Sequence, residues 1–333
     1  MPGTSKRLLA VSPPFDLART AAPAWWAQGR WPNVDWRSGA FVWVGWEAGQ
    51  VACRSVRQID ARTLEFSGSR TSDLDASWAA AVVGTNAAMP KFDDPIMAAL
   101  ACEHAGLRPW SAGSHFEGVV SSIVGQSISV AAAAATEQRL YECFNGGVVV
   151  DGRQFWPPPL PEQLASSSAA VVRKSGVTTK RSEALVAVAT LFASEHRSAE
   201  FGANRVAATE RLASISGIGP WTVQSALLWG VAAPDAHPTR DVALLRAARV
   251  HYPEISDLNE LDRVAERWKP YRGWAARLLW LDLLGYDRVN VQIKTSRTQH
   301  IPEDQSASAL PKPLTTPCNN WPDSAMTKRR LSR

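Results

Sequence analysis

The stretch Leu212–Asp241, LASISGIGPWTVQSALLWGVAAPDAHPTRD, decides the fold. Val206, Leu212 and Ile215 recur at helical spacing ahead of the glycines, and Val223, Ala226, Leu227 and Gly230 do so beyond them. Residues 216–220 must therefore reverse the chain tightly between two helices. Gly217 and Gly219 lack a Cβ, which permits positive φ and the close approach of another backbone, and Pro220 suits the first position of the second helix. Amides at that helix start face outward and, with the helix dipole, make a phosphate site that needs no basic side chain. An ordinary αα-hairpin would satisfy the same pattern, because glycine is common in short helix connections. The sequel adds to it: after a spacer containing Pro234 and Pro238 come Arg240 and Asp241, then an apolar helical pattern over residues 242–250. Asp241 is also well placed to cap that helix.

The run Gly217-Ile218-Gly219-Pro220-Trp221-Thr222, followed at this distance by Asp241, resembles the helix-hairpin-helix DNA glycosylases, and within them the bacterial 3-methyladenine DNA glycosylase II branch. The resemblance extends to FEGVVSSIVGQSISVAAAAATEQRLYECF (residues 116–144), which reads as packed helices broken near Gly125 and Gln126. In the branch a Gly-Gln pair introduces a loop that probes the duplex. Gln126 matches its glutamine, Ser127 stands where a bulky apolar wedge is usual, and Ser129 and Val130 match the residues downstream. A helix kink with an exposed glutamine is the plainer reading. Gly176, Lys180, Arg181, Ala184 and Leu185 match a further family run, with Thr178 and Thr179 as caps. Whether Lys180 and Arg181 touch phosphate stays open at this level. Residues 268–280 resemble the family's final helix, which implies that Trp221 and Trp280 line the cleft that receives the base. Core packing is the alternative for both. A cleft aromatic four residues past Trp221 is replaced by Ser225.

Around this centre the chain reads as an α+β protein: an N-terminal antiparallel β domain followed by a mainly α-helical body. Residues 40–46 (AFVWVGW), 50–59 and 61–67 are short, β-branched or aromatic, and separated by glycine or polar breaks, as in a meander. Residues 1–14 read as a frayed lead. Trp25, Trp26, Trp31, Trp36, Trp43 and Trp46 are expected mostly to fill the core of this domain. From Leu74 the pattern turns helical, and residues 145–161, with their glycines and prolines, read as a connector. The expected division is 1–90 for the β-rich domain, 91–291 for the helical body with its hairpin at 212–230, and 292–333 for a disordered basic tail.

With 333 residues and 45% hydrophobic content the chain can build a sizeable core. A net charge of +5 and a pI near 9.2 suit a polyanionic partner without requiring one. The four cysteines, Cys53, Cys102, Cys143 and Cys318, show no close pairing, so neither a disulfide scaffold nor a zinc or iron-sulfur motif follows from them. A reduced compartment is the simpler reading. There is no signal-like apolar segment and no run of about 18 apolar residues, so a cytoplasmic protein away from membranes is expected.

What the resemblance implies is a monofunctional DNA glycosylase of base excision repair, acting as a monomer on double-stranded DNA with no cofactor and no metal. Asp241 is the implied catalytic carboxylate, Trp221, Trp280 and Gln126 the implied base contacts, and Gly217, Gly219, Ser127 and Thr222 the implied DNA contacts. Alkylated purines of the 3-methyladenine type carry positive charge and leave easily, so they are the expected substrates. A glycosylase for another damaged base and a noncatalytic DNA-binding protein on the same hairpin are the alternatives.

Overall fold

A computed structural model describes residues 6–26, 31–47, 49–68, 72–195 and 209–284. Val206 and the basic tail at 292–333 lie outside the described residues. Five antiparallel strands come first: β1 (Arg7–Ala10), β2 (Val34–Arg37), β3 (Ala40–Glu47), β4 (Gln50–Asp60) and β5 (Thr63–Ser67) form one sheet in the order β1-β5-β4-β3-β2. β3, β4 and β5 are the expected meander, and β2 adds a strand ahead of it that the sequence reading did not place. β1 corrects the expectation of a frayed lead: Arg7 pairs with Phe66 and Ala10 with Thr63 across the sheet. An edge strand needs a single long-range partner, which no local pattern reveals.

Helices α1 (Leu17–Thr20), α2 (Ala22–Trp26) and α3 (Ser72–Val82) flank the sheet. Trp31 and Trp43 are buried with Phe41, Phe66, Trp78 and Trp110 in one core, as expected, and Trp36 packs against it half-buried. Trp46 is half-buried too, and the side chains of Trp25 and Trp26 lie outside those described. The helical body follows with α4 (Pro95–Glu103), α5 (His115–Val124), α6 (Val130–Glu142), α7 (Pro161–Ala165), α8 (Ala169–Val172), α9 (Thr179–Glu195), α10 (Pro220–Val231), α11 (Val242–Ala248), α12 (Leu258–Ala265) and α13 (Arg272–Leu284). It has its own large core, built from residues such as Val119, Ile123, Leu185, Leu228, Leu244 and Leu279.

The expected connector at 145–161 contains a two-stranded hairpin, β6 (Val148–Val150) and β7 (Arg153–Phe155). Three valines favour a strand, and Asp151 and Gly152, both at positive φ, make the turn. Phe155 packs on Val42 and Val44 of β3, and Arg153 lies 2.6 Å from Asp35, so the hairpin fastens the body to the sheet. Cys53 and Cys143 are free thiols, whereas Cys102 is disulfide-bonded, against the expectation of a fully reduced set. Among the described residues no helix is long and apolar enough to cross a membrane.

Two features set the position of α10. It crosses α5 where Gly118 meets Gly230, so closely that a Cβ on Gly118 would stand 2.2 Å from the Gly230 Cα. Gly118 cannot carry a side chain there, and one on Gly230 would press on the His115 carbonyl at 3.0 Å. α5 in turn is tied to the sheet: Trp31 Nε1 donates to Ser121 Oγ at 2.8 Å and Asn33 Nδ2 to Glu117 Oε1 at 2.8 Å.

Candidate active site at the glycine hairpin

A short 3-10 turn, Leu212–Ser214, leads into the reversal, where Ile215 N donates to Leu212 O and Ile218 N to Ile215 O, each at 3.0 Å. Gly217 takes φ +92°, a conformation that other residues rarely adopt, whereas Gly219 is extended at φ −98° and serves as the N-cap of α10 without a capping side chain. Pro220 opens the helix. The first intrahelical bond is Val223 N to Gly219 O at 3.1 Å, so the amides of Trp221 and Thr222 have no partner within the helix. A Cβ built on Gly219 would meet nothing within 4 Å: the face of the hairpin is open there.

The surroundings of that face come from α5, α6 and α9. Gly125 ends α5 and Ser129 caps α6, which is the break expected near Gly125 and Gln126. Gln126 Nε2 donates to Gly217 O at 3.0 Å and to Thr222 Oγ1 at 2.7 Å, and Arg181 donates to Gln126 Oε1 at 3.3 Å and to its backbone carbonyl. The glutamine thus braces the hairpin. Thr222 is 3% exposed and spends its hydroxyl on Gln126, while its amide has no partner within the helix. Ser127 is exposed at φ +51° at the tip of the α5–α6 loop, with Ile128 and Val130 exposed beside it. The stem of exposed Lys180 runs along the hairpin, its Cγ and Cε each 3.4 Å from where a Cβ on Gly217 would stand.

Asp241 caps α11 and is half-buried. Its Oδ1 accepts from Leu244 N at 2.7 Å, and its Oδ2 accepts from Trp221 Nε1 at 2.8 Å. Capping and candidate chemistry therefore coincide in one carboxylate. Two bonds occupy about half of the roughly four acceptor sites of a carboxylate, and the rest stay available. The sequence-derived pair Trp221 and Asp241 is thus brought together beside the hairpin of Gly217 and Gly219, which Gln126 braces.

Trp280 is placed differently. It is 9% exposed and stacks on Trp229, with ring centroids 5.6 Å apart and planes at 18°. One ring face is already covered, so it is a packed residue rather than an open wall of a cleft. Trp229 was not singled out from the sequence. It also meets Trp31 and Trp110, and the Arg277 guanidinium lies 4.8 Å over its ring. Arg277 donates to Leu228 O at 2.6 Å, and burial lowers its pKa to about 9. The signal was available as an arginine three residues before Trp280, but its partner lies on another helix. Ser225, where the family pattern has an aromatic, is buried and 2% exposed.

No family model matches the chain. It is 28% identical over 191 residues to a DNA-3-methyladenine glycosylase of Bacillus subtilis (strain 168), covering 56% of this chain and 63% of that protein. It is also 28% identical over 191 residues to DNA-3-methyladenine glycosylase 2 of Escherichia coli (strain K12), covering 57% and 66%. The chain thus spans less than two thirds of the length of these relatives. Among solved structures, a 3-methyladenine DNA-glycosylase from Archaeoglobus fulgidus superposes with a TM-score of 0.69 at 19% identity, over 85% of this chain and 98% of that one. The 8-oxoguanine glycosylase/lyase of Clostridium acetobutylicum superposes with a TM-score of 0.61 at 14% identity, over 84% and 98%. The fold is that of the helix-hairpin-helix glycosylases. By sequence, the chain is a homologue of the proteins named DNA-3-methyladenine glycosylase.

Proposed function

We propose that the protein is a monofunctional DNA glycosylase that excises alkylated purines, of the 3-methyladenine type, from double-stranded DNA in base excision repair. One observation carries this reading: the Trp221 indole fixes the Asp241 carboxylate at 2.8 Å, next to a hairpin whose helix-start amides are unoccupied within the helix. The amides of Trp221 and Thr222, with Lys180 alongside, hold a backbone phosphate. A base stacked in the duplex hides its glycosidic bond, so the nucleotide is rotated outward, with the exposed Ser127–Ile128 tip of the α5–α6 loop entering the stack. As the base departs, positive charge develops on the sugar. Asp241 opposes that charge and orients or deprotonates the attacking water, leaving an abasic site and a free base. A base that already carries positive charge leaves without a protonating side chain, which fits a site with one carboxylate. The enzyme works as a cytoplasmic monomer. The same reading divides the chain near residue 90, with the β domain as scaffold.

The test is Asp241→Asn, which keeps the N-cap and the shape while removing the charge. Single-turnover release of methylated base is expected to fall about 100- to 1,000-fold, with duplex affinity unchanged. Wild-type release by the mutant would remove Asp241 from the chemistry, and failure of the wild type to release any base from a panel of lesions would leave a DNA-binding protein.

A further inference from the structure

Beyond the far end of α11 from Asp241, two histidines and two carboxylates converge from three parts of the helical body. Glu103 ends α4 and His104 follows it, His251 lies just past α11, and Asp282 sits near the end of α13. One ligand atom each from Glu103, His104 and Asp282 lie within 4.8 Å of one another. His104 Nε2 faces Asp282 Oδ1 at 3.5 Å, while His251 Nε2 is hydrogen-bonded to Asp282 Oδ2 at 2.7 Å. His104 is 3% exposed; its Nε2 meets only the Asp282 carboxylate, at 3.5 Å, and its Nδ1 has no partner. A buried imidazole nitrogen left without a partner costs about 1–3 kcal/mol, which a bound ligand at this cluster would offset.

We propose that Glu103, His104 and Asp282 form a binding site for one divalent transition cation of the zinc class, with His251 as the residue that orients Asp282. One imidazole and two carboxylates suit Zn²⁺ or Co²⁺, because nitrogen ligation selects against Mg²⁺ and Ca²⁺, and water completes the tetrahedron. Ligands of such an ion stand about 3.3–3.5 Å apart at bond lengths near 2.1 Å. The His104–Asp282 separation already meets that, and Glu103, an exposed side chain at a helix end, closes the remaining distance by rotating its own bonds. The Asp282 carboxylate held by the His251 imidazole repeats the outer-shell pairing that fixes metal ligands. The seven-residue α11, about 10 Å long, lies between Asp241 and His251, so the ion would join α4 and α13 at the end of the body away from Asp241, outside the chemistry of base release.

The experiment uses tag-free full-length protein stripped with a chelator. Calorimetric titration is expected to show one equivalent of Zn²⁺ bound, with a rise in Tm, and Co²⁺ to give the visible absorption of a tetrahedral nitrogen and oxygen site. Glu103→Gln, at an exposed position, weakens binding at least about 10-fold, His251→Ala about 10- to 100-fold, and Asp282→Asn abolishes it. Because Asp282→Asn also disturbs the His251 bond, the Glu103→Gln titration, with folding checked by circular dichroism, is the deciding arm. Absence of saturable Zn²⁺ or Co²⁺ binding at about 0.1 mM, equal affinity in Glu103→Gln and wild type, or a cobalt-thiolate charge-transfer band from Cys53 or Cys143 would each overturn the site.

Discussion

At Trp221 one indole meets two demands. Its Nε1 donates to Asp241 Oδ2 at 2.8 Å, and its ring stands half-buried beside the open face of the hairpin. Removing the N–H while keeping the ring, as in Trp221→Phe, leaves the carboxylate held by Leu244 N alone. A hydrogen bond to a charged group is worth about 1.5–3 kcal/mol, so the single-turnover rate is expected to fall about 10- to 100-fold with little change in KM. An unchanged rate would reduce the indole to a wall. The same position decides the strand chemistry. In strand-cleaving members of the superfamily a lysine stands here, and its amine forms a Schiff base with the sugar. An indole cannot, so on the proposed reading the DNA strand is expected to stay intact and borohydride to trap no covalent complex with damaged DNA. A trapped complex would show that another amine, with exposed Lys180 beside the hairpin as the first suspect, has taken that part. The sequence made Asp241 readable as either a cap or a catalyst, and the structure shows that it caps α11 while a residue 20 positions away orients it. The spacing of the hairpin and Asp241 carries the resemblance, but not the indole–carboxylate hydrogen bond that joins them.

The hairpin was the most legible element, because its determinants are local: a glycine needed for positive φ at Gly217, a proline at the first position of α10 and apolar residues at helical spacing. Gln126 was less so. Its place after the end of α5 could be read from Gly125, but its partners, Gly217 and Thr222, are 91 and 96 residues away, and they make it a brace for the hairpin. For Thr222 likewise, only the fold shows that its hydroxyl is turned inward to Gln126, which leaves its amide for a DNA contact. The hairpin's contribution to binding is separable from its contribution to folding at Gly219. Its φ of −98° is ordinary for any residue, and a Cβ there meets nothing within 4 Å. Gly219→Val should therefore fold normally, yet place branched carbons on the face that a phosphate approaches. Affinity for damaged and undamaged duplex is expected to drop together, because a backbone contact carries no sequence information. Equal affinities in a low-salt titration would make the hairpin a structural turn and no more.

Across the whole molecule, the sheet and the helical body are joined by contacts that local patterns do not encode: Arg153 with Asp35, Trp31 with Ser121, and Asn33 with Glu117. The meander and the helices were legible in the sequence, while β1, the β6–β7 hairpin and this junction were not, since each depends on a distant partner. Glu117 gives the junction a pH dependence. Burial, with the nearby Glu137 carboxylate adding to it, pushes the Glu117 pKa from 4.5 to about 8 against hydrogen bonds from Ser114 and Asn33. An acid whose pKa rises on folding is protonated in the folded state while the unfolded chain has already released its proton. The folded state then binds more protons between about pH 4.5 and 8, so this group's contribution to stability is full below that window and is lost as pH rises through it. The slope is at most about 1.4 kcal/mol per pH unit. Glu117→Gln keeps an acceptor for Asn33 and removes the titration. The difference in Tm between variant and wild type should therefore shift in favour of the variant from pH 5 to pH 8. Melting curves that stay parallel across that range would mean that Glu117 is ionised in the folded protein, and that the junction is held by its charge.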